Sequence, residues 1–168
     1  RYPANPQFLS LLNTPGYAWD LTVLDNKVYI ADRWEGLRII DVSNPNLPFE
    51  IGSIVTSNEA LDVAVNDGLA YVAIYTDGLQ IIDISNPTLP VNLGNVDLER
   101  SYGVKVVENT AYIADGDAGI KVIDVSDPNL PVLTRQLDTA GASFSTWIVD
   151  STVYVADWNS GLIVLDLP

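Results

Sequence analysis

The side chains available for chemistry are almost all oxygen acids: 22 Asp and Glu stand against 8 Lys and Arg, with no His and no Cys. That excludes disulfides, Cys/His zinc sites, Ser-His-Asp triads and Cys-His pairs. Carboxylate chemistry remains. Asp32, Asp115 and Asp157 occupy equivalent places in the chain, with Ile74 at the fourth. Three converging carboxylates would suit Ca²⁺, a hard ion served by oxygen ligands. Asp115-Gly116-Asp117 is like the start of a calcium loop, but the D-x-D-x-D-G pattern and the closing Glu are missing. A capping role after a strand is therefore the stronger expectation for the three Asp residues, and no cofactor is expected. Asp20 and Asp62 are the best pair for glycosidase chemistry, which needs two acids about 5–5.5 or 6.5–9.5 Å apart. Two of the four repeats place Gly103 and Ser145 there instead, and the chain is expected not to be an enzyme.

The second chemical resource is aromatic. The segments 32–35, 74–77, 115–118 and 157–160 read DRWE, IYTD, DGDA and DWNS. Relaxed loops drift toward Gly, Ser and Asn, whereas three of these four carry Trp34, Tyr75 or Trp158. Tyr17, Trp19, Glu59, Arg100, Tyr102 and Phe144 lie where the neighbouring strands begin. Rings beside acids and amides suit a sugar, whose apolar face stacks while its hydroxyls donate to carboxylates. Trp, Tyr and Arg equally suit a protein contact. The candidate binding residues are Trp19, Asp32, Trp34, Tyr75, Tyr102, Asp115, Asp117, Asp157 and Trp158. The plainer alternative is that the tryptophans plug a ring entrance or pack between neighbouring units.

An internal repeat places these segments. Asp41, Asp83, Asp124 and Asp166 are spaced by 42, 41 and 42 residues, as are Tyr29, Tyr71, Tyr112 and Tyr154. Each unit reads as four short strands. In the first unit these are Trp19 to Leu24, Val28 to Ala31, Leu37 to Val42 and Phe49 to Val55, with turns at Asp25-Asn26 and Ser43 to Pro48. No stretch keeps a 3.6-residue period, so no helix of substance is expected. Four strands in about 42 residues, repeated in tandem, is the pattern of propeller blades. The expected fold is all-β, a single β-propeller domain over 1–168 with repeat units 1–42, 43–84, 85–125 and 126–168. The Asp41 series is expected to form turns, and the Tyr29 series to pack between blades.

The runs Leu37-Arg38-Ile39-Ile40-Asp41 and Leu162-Ile163-Val164-Leu165-Asp166 carry a resemblance to the LVIVD-repeat family, over the whole chain. The resemblance implies propellers, mostly of secreted or cell-surface proteins, with no general catalytic motif. An extracellular or cell-surface location, and a protein or glycan partner there, follow as expectations. The net charge of −14 speaks against nucleic acid. No apolar run approaches the roughly 20 residues of a membrane helix, so no insertion is expected. With no leader pattern and no initiating Met, the chain reads as a mature or trimmed product.

The ends are out of phase with the blades. Residues 7–14 match a fourth strand, and residues 144–166 supply a first, second and third. The N-terminal strand is therefore expected to complete the C-terminal blade. This would give either a closed four-bladed ring or half of an eight-bladed ring made by two chains.

Overall fold

The structure, a computed structural model, describes residues 6–166; the beginning of the proline register at Pro3 lies outside them. Among the described residues every regular element except one 3-10 turn, Trp158–Ser160, is a strand. Blade 1 holds β1 (Asp20–Leu24), β2 (Lys27–Ala31), β3 (Leu37–Asp41) and β4 (Phe49–Ile54). Blade 2 holds β5 (Ala60–Asn66), β6 (Leu69–Ile74), β7 (Gly78–Asp83) and β8 (Val91–Val96). Blade 3 holds β9 (Gly103–Val107), β10 (Thr110–Ala114), β11 (Ile120–Asp124) and β12 (Val132–Leu137). Blade 4 holds β13 (Ser143–Val149), β14 (Thr152–Asp157) and β15 (Gly161–Asp166). In each sheet the strands lie antiparallel in chain order.

The turn chemistry accounts for this regularity. Asp25-Asn26 and Asp67-Gly68 have positive φ at both residues, the left-handed pair that a tight hairpin of right-handed twist requires. Asp41, Asp83 and Asp124 each accept the backbone N–H two residues on, from Ser43, Ser85 and Ser126, at 2.8–2.9 Å. Those bonds, with the serine hydroxyls, hold the three carboxyls below the usual carboxylate range. Asp41, Asp83 and Asp124 are thus turn-forming. A bulge recurs between β3 and β4, β7 and β8, and β11 and β12, where the third strand steps across one extra residue of the fourth.

The core lies between blades. First strands stack side by side, β1 on β5, β5 on β9 and β9 on β13. Tyr29, Leu37 and Ile39 of blade 1 pack on Ala60, Val63 and Val72 of blade 2. Tyr71, Leu79 and Ile81 meet Val104 and Ile113 of blade 3, and Tyr112 and Ile120 meet Val153 and Val155 of blade 4. In blades 1 to 3 the middle strands are covered on both faces, which is why they read as continuous apolar runs without alternation.

Within the single chain the ring is left open. The fourth sheet has three strands, and residues 7–14 are not paired onto the 161–166 edge. They stand instead against blade 1. Ser10 Oγ donates to the Pro45 carbonyl at 2.7 Å, and Thr14 Oγ1 donates to Asp32 at 2.7 Å. The segment thus sits where the fourth strand of a blade preceding blade 1 would sit.

Candidate interaction surface

Blade stacking carries all four variable loops to one face of the molecule and pins the first three of them there. Arg33 exchanges two backbone hydrogen bonds with Ala60 of the next blade, and Gly116 does the same with Ser143, at 3.0–3.2 Å. The Tyr75 amide donates to the Glu59 carbonyl, and the Tyr75 carbonyl accepts from Ser101. Gly36, Gly78, Gly119 and Gly161 leave these loops with φ between 72° and 84°. At Gly36 a Cβ would also overlap the Ile54 carbonyl. A residue free of a side chain is required at that point, and the repeat keeps one.

The rings form a chain across this face. Tyr75 and Tyr102 have centroids 5.5 Å apart, Tyr102 and Phe144 4.4 Å, and Phe144 and Trp158 5.1 Å, all tilted. On blade 1 the Arg33 guanidinium lies 5.1 Å from the Trp19 ring and 5.9 Å from the Trp34 ring. Glu59 holds Arg33 in place through an ion pair. Trp34 is 55% exposed and Trp158 75% exposed, so these rings are presented to solvent and not sunk between blades. Burial, followed by a hydrogen bond with Tyr75, pushes the Tyr102 phenol above its ordinary value. Tyr102, Phe144 and Trp158, with Arg100, Asp117 and Asn159, line an open cleft of about 530 Å³. Arg100 and Asp117 are paired across it at 3.1 Å.

The structure gives the three equivalent aspartates a different task from ligand contact. Asp32 accepts from Thr14 Oγ1 and from the Gly16 amide at 2.9 Å. Asp115 accepts from the Arg100 amide at 2.9 Å and from Ser101 Oγ at 3.1 Å. Asp157 accepts from the Gly141 amide at 2.8 Å and from Ser143 Oγ at 3.1 Å. Each is fully buried, or nearly so, and ties the strand leading into its own blade to the loop after the second strand. Among the described residues no three acidic side chains lie close enough together to hold a metal ion. The three equivalent aspartates do not converge on one point; each serves its own blade. Of the nine candidates, Trp19, Trp34, Tyr75, Tyr102, Asp117 and Trp158 reach the surface, whereas Asp32, Asp115 and Asp157 hold it from beneath.

The axial end of this face carries a second cluster. Asp62 Oδ2 accepts from the Val104 amide at 2.8 Å and lies 3.6 Å from Lys105 Nζ. Burial, and then a hydrogen bond with Asp20, raise Asp62 to about 7, against the pull of Lys105 and the Val104 amide. Trp19, Trp147 and Lys105 line the hollow beside them, of about 330 Å³. Reading for recurring positions missed Lys105 and Trp147. They stand where the other units have Thr22 and Ala64, and that break in the repeat was the available signal.

The LVIVD repeat model matches four times, over residues 15–56, 58–98, 100–139 and 140–167. The chain belongs to the LVIVD-repeat family. No curated protein sequence matches it. Two computationally designed proteins are similar in structure. Ika4 is 14% identical with a TM-score of 0.74, over 98% of this chain and 100% of that one. Ika8 is 13% identical with a TM-score of 0.71, over 89% of this chain and 46% of that one. At these identities the likeness concerns the fold, and it agrees with four LVIVD blades stacked as an all-β propeller.

Proposed function

We propose that this LVIVD propeller is a non-catalytic interaction module of a secreted or cell-surface protein, binding a protein partner through its aromatic face. The observation that carries the reading is the unbroken series of rings from Tyr75 to Trp158, continued on blade 1 by Trp19, Arg33 and Trp34. The loops carrying Trp34 and Tyr75 are hydrogen-bonded to the next blade, so these rings have less freedom left to lose on binding. Aromatic and Arg anchors of this kind supply most of the affinity in protein interfaces.

A second reading, carbohydrate binding, is favoured by the cleft of about 530 Å³, where Trp158 and Phe144 stand beside Asp117 and Asn159. Wild-type protein and the Trp34→Ala/Trp158→Ala double variant, immobilised in parallel, would be exposed to extracellular proteins of the source organism and to a glycan array. Protein capture that is lost in the variant at unchanged melting temperature supports the first reading. Reproducible sugar binding replaces it with the second. Capture that ignores both tryptophans removes the aromatic face from either.

A further inference from the structure

The two ends of the blade stack expose surfaces that are buried everywhere else in the molecule. Leu162 is 67% exposed, whereas Leu37, Leu79 and Ile120 at the same position are at 0%. Tyr154 is 36% exposed, against 3–8% for Tyr29, Tyr71 and Tyr112. Val164 and Trp147 extend this surface, which is the side each blade turns toward its successor. At the other end, Leu21 is exposed on the side of blade 1 where Val63 of blade 2 and Val104 of blade 3 are buried. Phe8, Leu9 and Leu11 are exposed beside it. Blade 4 thus ends in an unfilled socket of the kind that blades 1 to 3 fill, and blade 1 begins with the matching plug.

We propose that a second copy of this chain closes the ring: residues 7–14 of each copy add the fourth strand to β15 of the other, giving eight blades related by a two-fold axis. The existing junctions define the register. Leu37, Ile39 and Ile40 of the third strand pair with Ile54, Gly52 and Glu50 of the fourth. Leu79, Ile81 and Ile82 pair with Val96, Gly94 and Asn92. Shifted by one repeat, Leu162 pairs with Leu12, Ile163 with Leu11, Val164 with Ser10 and Leu165 with Phe8, and Leu9 is the bulged residue.

One observation selects the second copy over closure within the chain. Residues 7–14 are anchored on blade 1 by Ser10 and Thr14. Closing the ring within one chain would require blade 4 to swing onto blade 1, changing the angle at three junctions that are already packed, and packed cores do not deform continuously.

Light scattering of the wild-type chain at micromolar concentration is expected to give about 37 kDa, twice 18.3 kDa. Leu162→Asp/Val164→Asp, at exposed positions, is expected to give about 18 kDa with an unchanged β-sheet circular dichroism spectrum. Because the chain has no Cys, Ser10→Cys/Val164→Cys and Leu11→Cys/Ile163→Cys report the junction directly. Adjacent pairs alternate between wide and narrow spacing, so one of the two has the closer geometry. Oxidation is expected to produce a covalent dimer on a non-reducing gel. A wild-type mass near 18 kDa, a mass above two chains, or an intramolecular disulfide would each overturn the proposal.

Discussion

Asp62 is the residue whose surroundings most oppose its usual state. Its ordinary value of 3.8 is raised to about 7 chiefly by burial. The fold therefore favours the protonated acid. Its contribution to stability is complete below the ordinary value and is lost as pH rises through about 7. Asp62→Asn imitates the protonated form, and Lys105 keeps partial access to water when the charge is gone. The variant is expected to melt at the wild-type temperature near pH 4 and above it beyond pH 7. Thermal denaturation across that range checks this; a gap independent of pH would show that Asp62 is ionised throughout.

At the scale of the strand, the distinction is between what packs blades and what faces solvent. Tyr112 is buried against Val153 and Val155 of blade 4. Truncating it leaves a cavity, and Tyr112→Ala is expected to cost about 3 kcal/mol or more. Trp158→Ala removes a ring that is three-quarters exposed and is expected to cost within about 1 kcal/mol. Urea denaturation of both variants makes the comparison; equal losses would turn the exposed tryptophan into a packing residue. The fourth strands supply a backbone test. Gly52→Ala forces a Cβ against the Pro87 carbonyl and is expected to cost roughly 1–3 kcal/mol by overpacking. Arg135→Ala, at the same place in blade 3, is expected to cost under about 0.5 kcal/mol. Comparable losses at both sites would mean that blade 3 is as crowded there as blade 1.

For the molecule as a whole, stability is a property of stacked neighbours, each blade covering the next. The end blades lack one neighbour apiece within a single chain. If two copies complete each other, unfolding includes dissociation, and the melting temperature is expected to rise with protein concentration. A melting temperature constant over a hundredfold dilution range would identify a self-sufficient single chain. The binding face is independent of this outcome, because Tyr75, Tyr102, Phe144 and Trp158 are brought together by junctions inside the chain.

The elements were legible in the sequence because their causes are local. Asp-Asn and Asp-Gly pairs make tight hairpins, Asp-x-Ser followed by Asn-Pro or Asp-Pro ends the third strand, and apolar runs of five or six residues leave room for nothing but strands. The repeat supplied the blade, and departures from it marked Trp34, Tyr75 and Trp158 as surface residues. Whether equivalent carboxylates would converge on a point or be consumed singly was a question of three-dimensional spacing, which similarity between units does not encode. Asp32, Asp115 and Asp157 proved to be consumed by hydrogen bonds to the segments entering their own blades. The destination of residues 7–14 was likewise beyond local reasoning. A fourth strand needs an edge, and which edge lies within reach depends on the angle at which successive blades pack, a sum over three interfaces that only the tertiary structure sets.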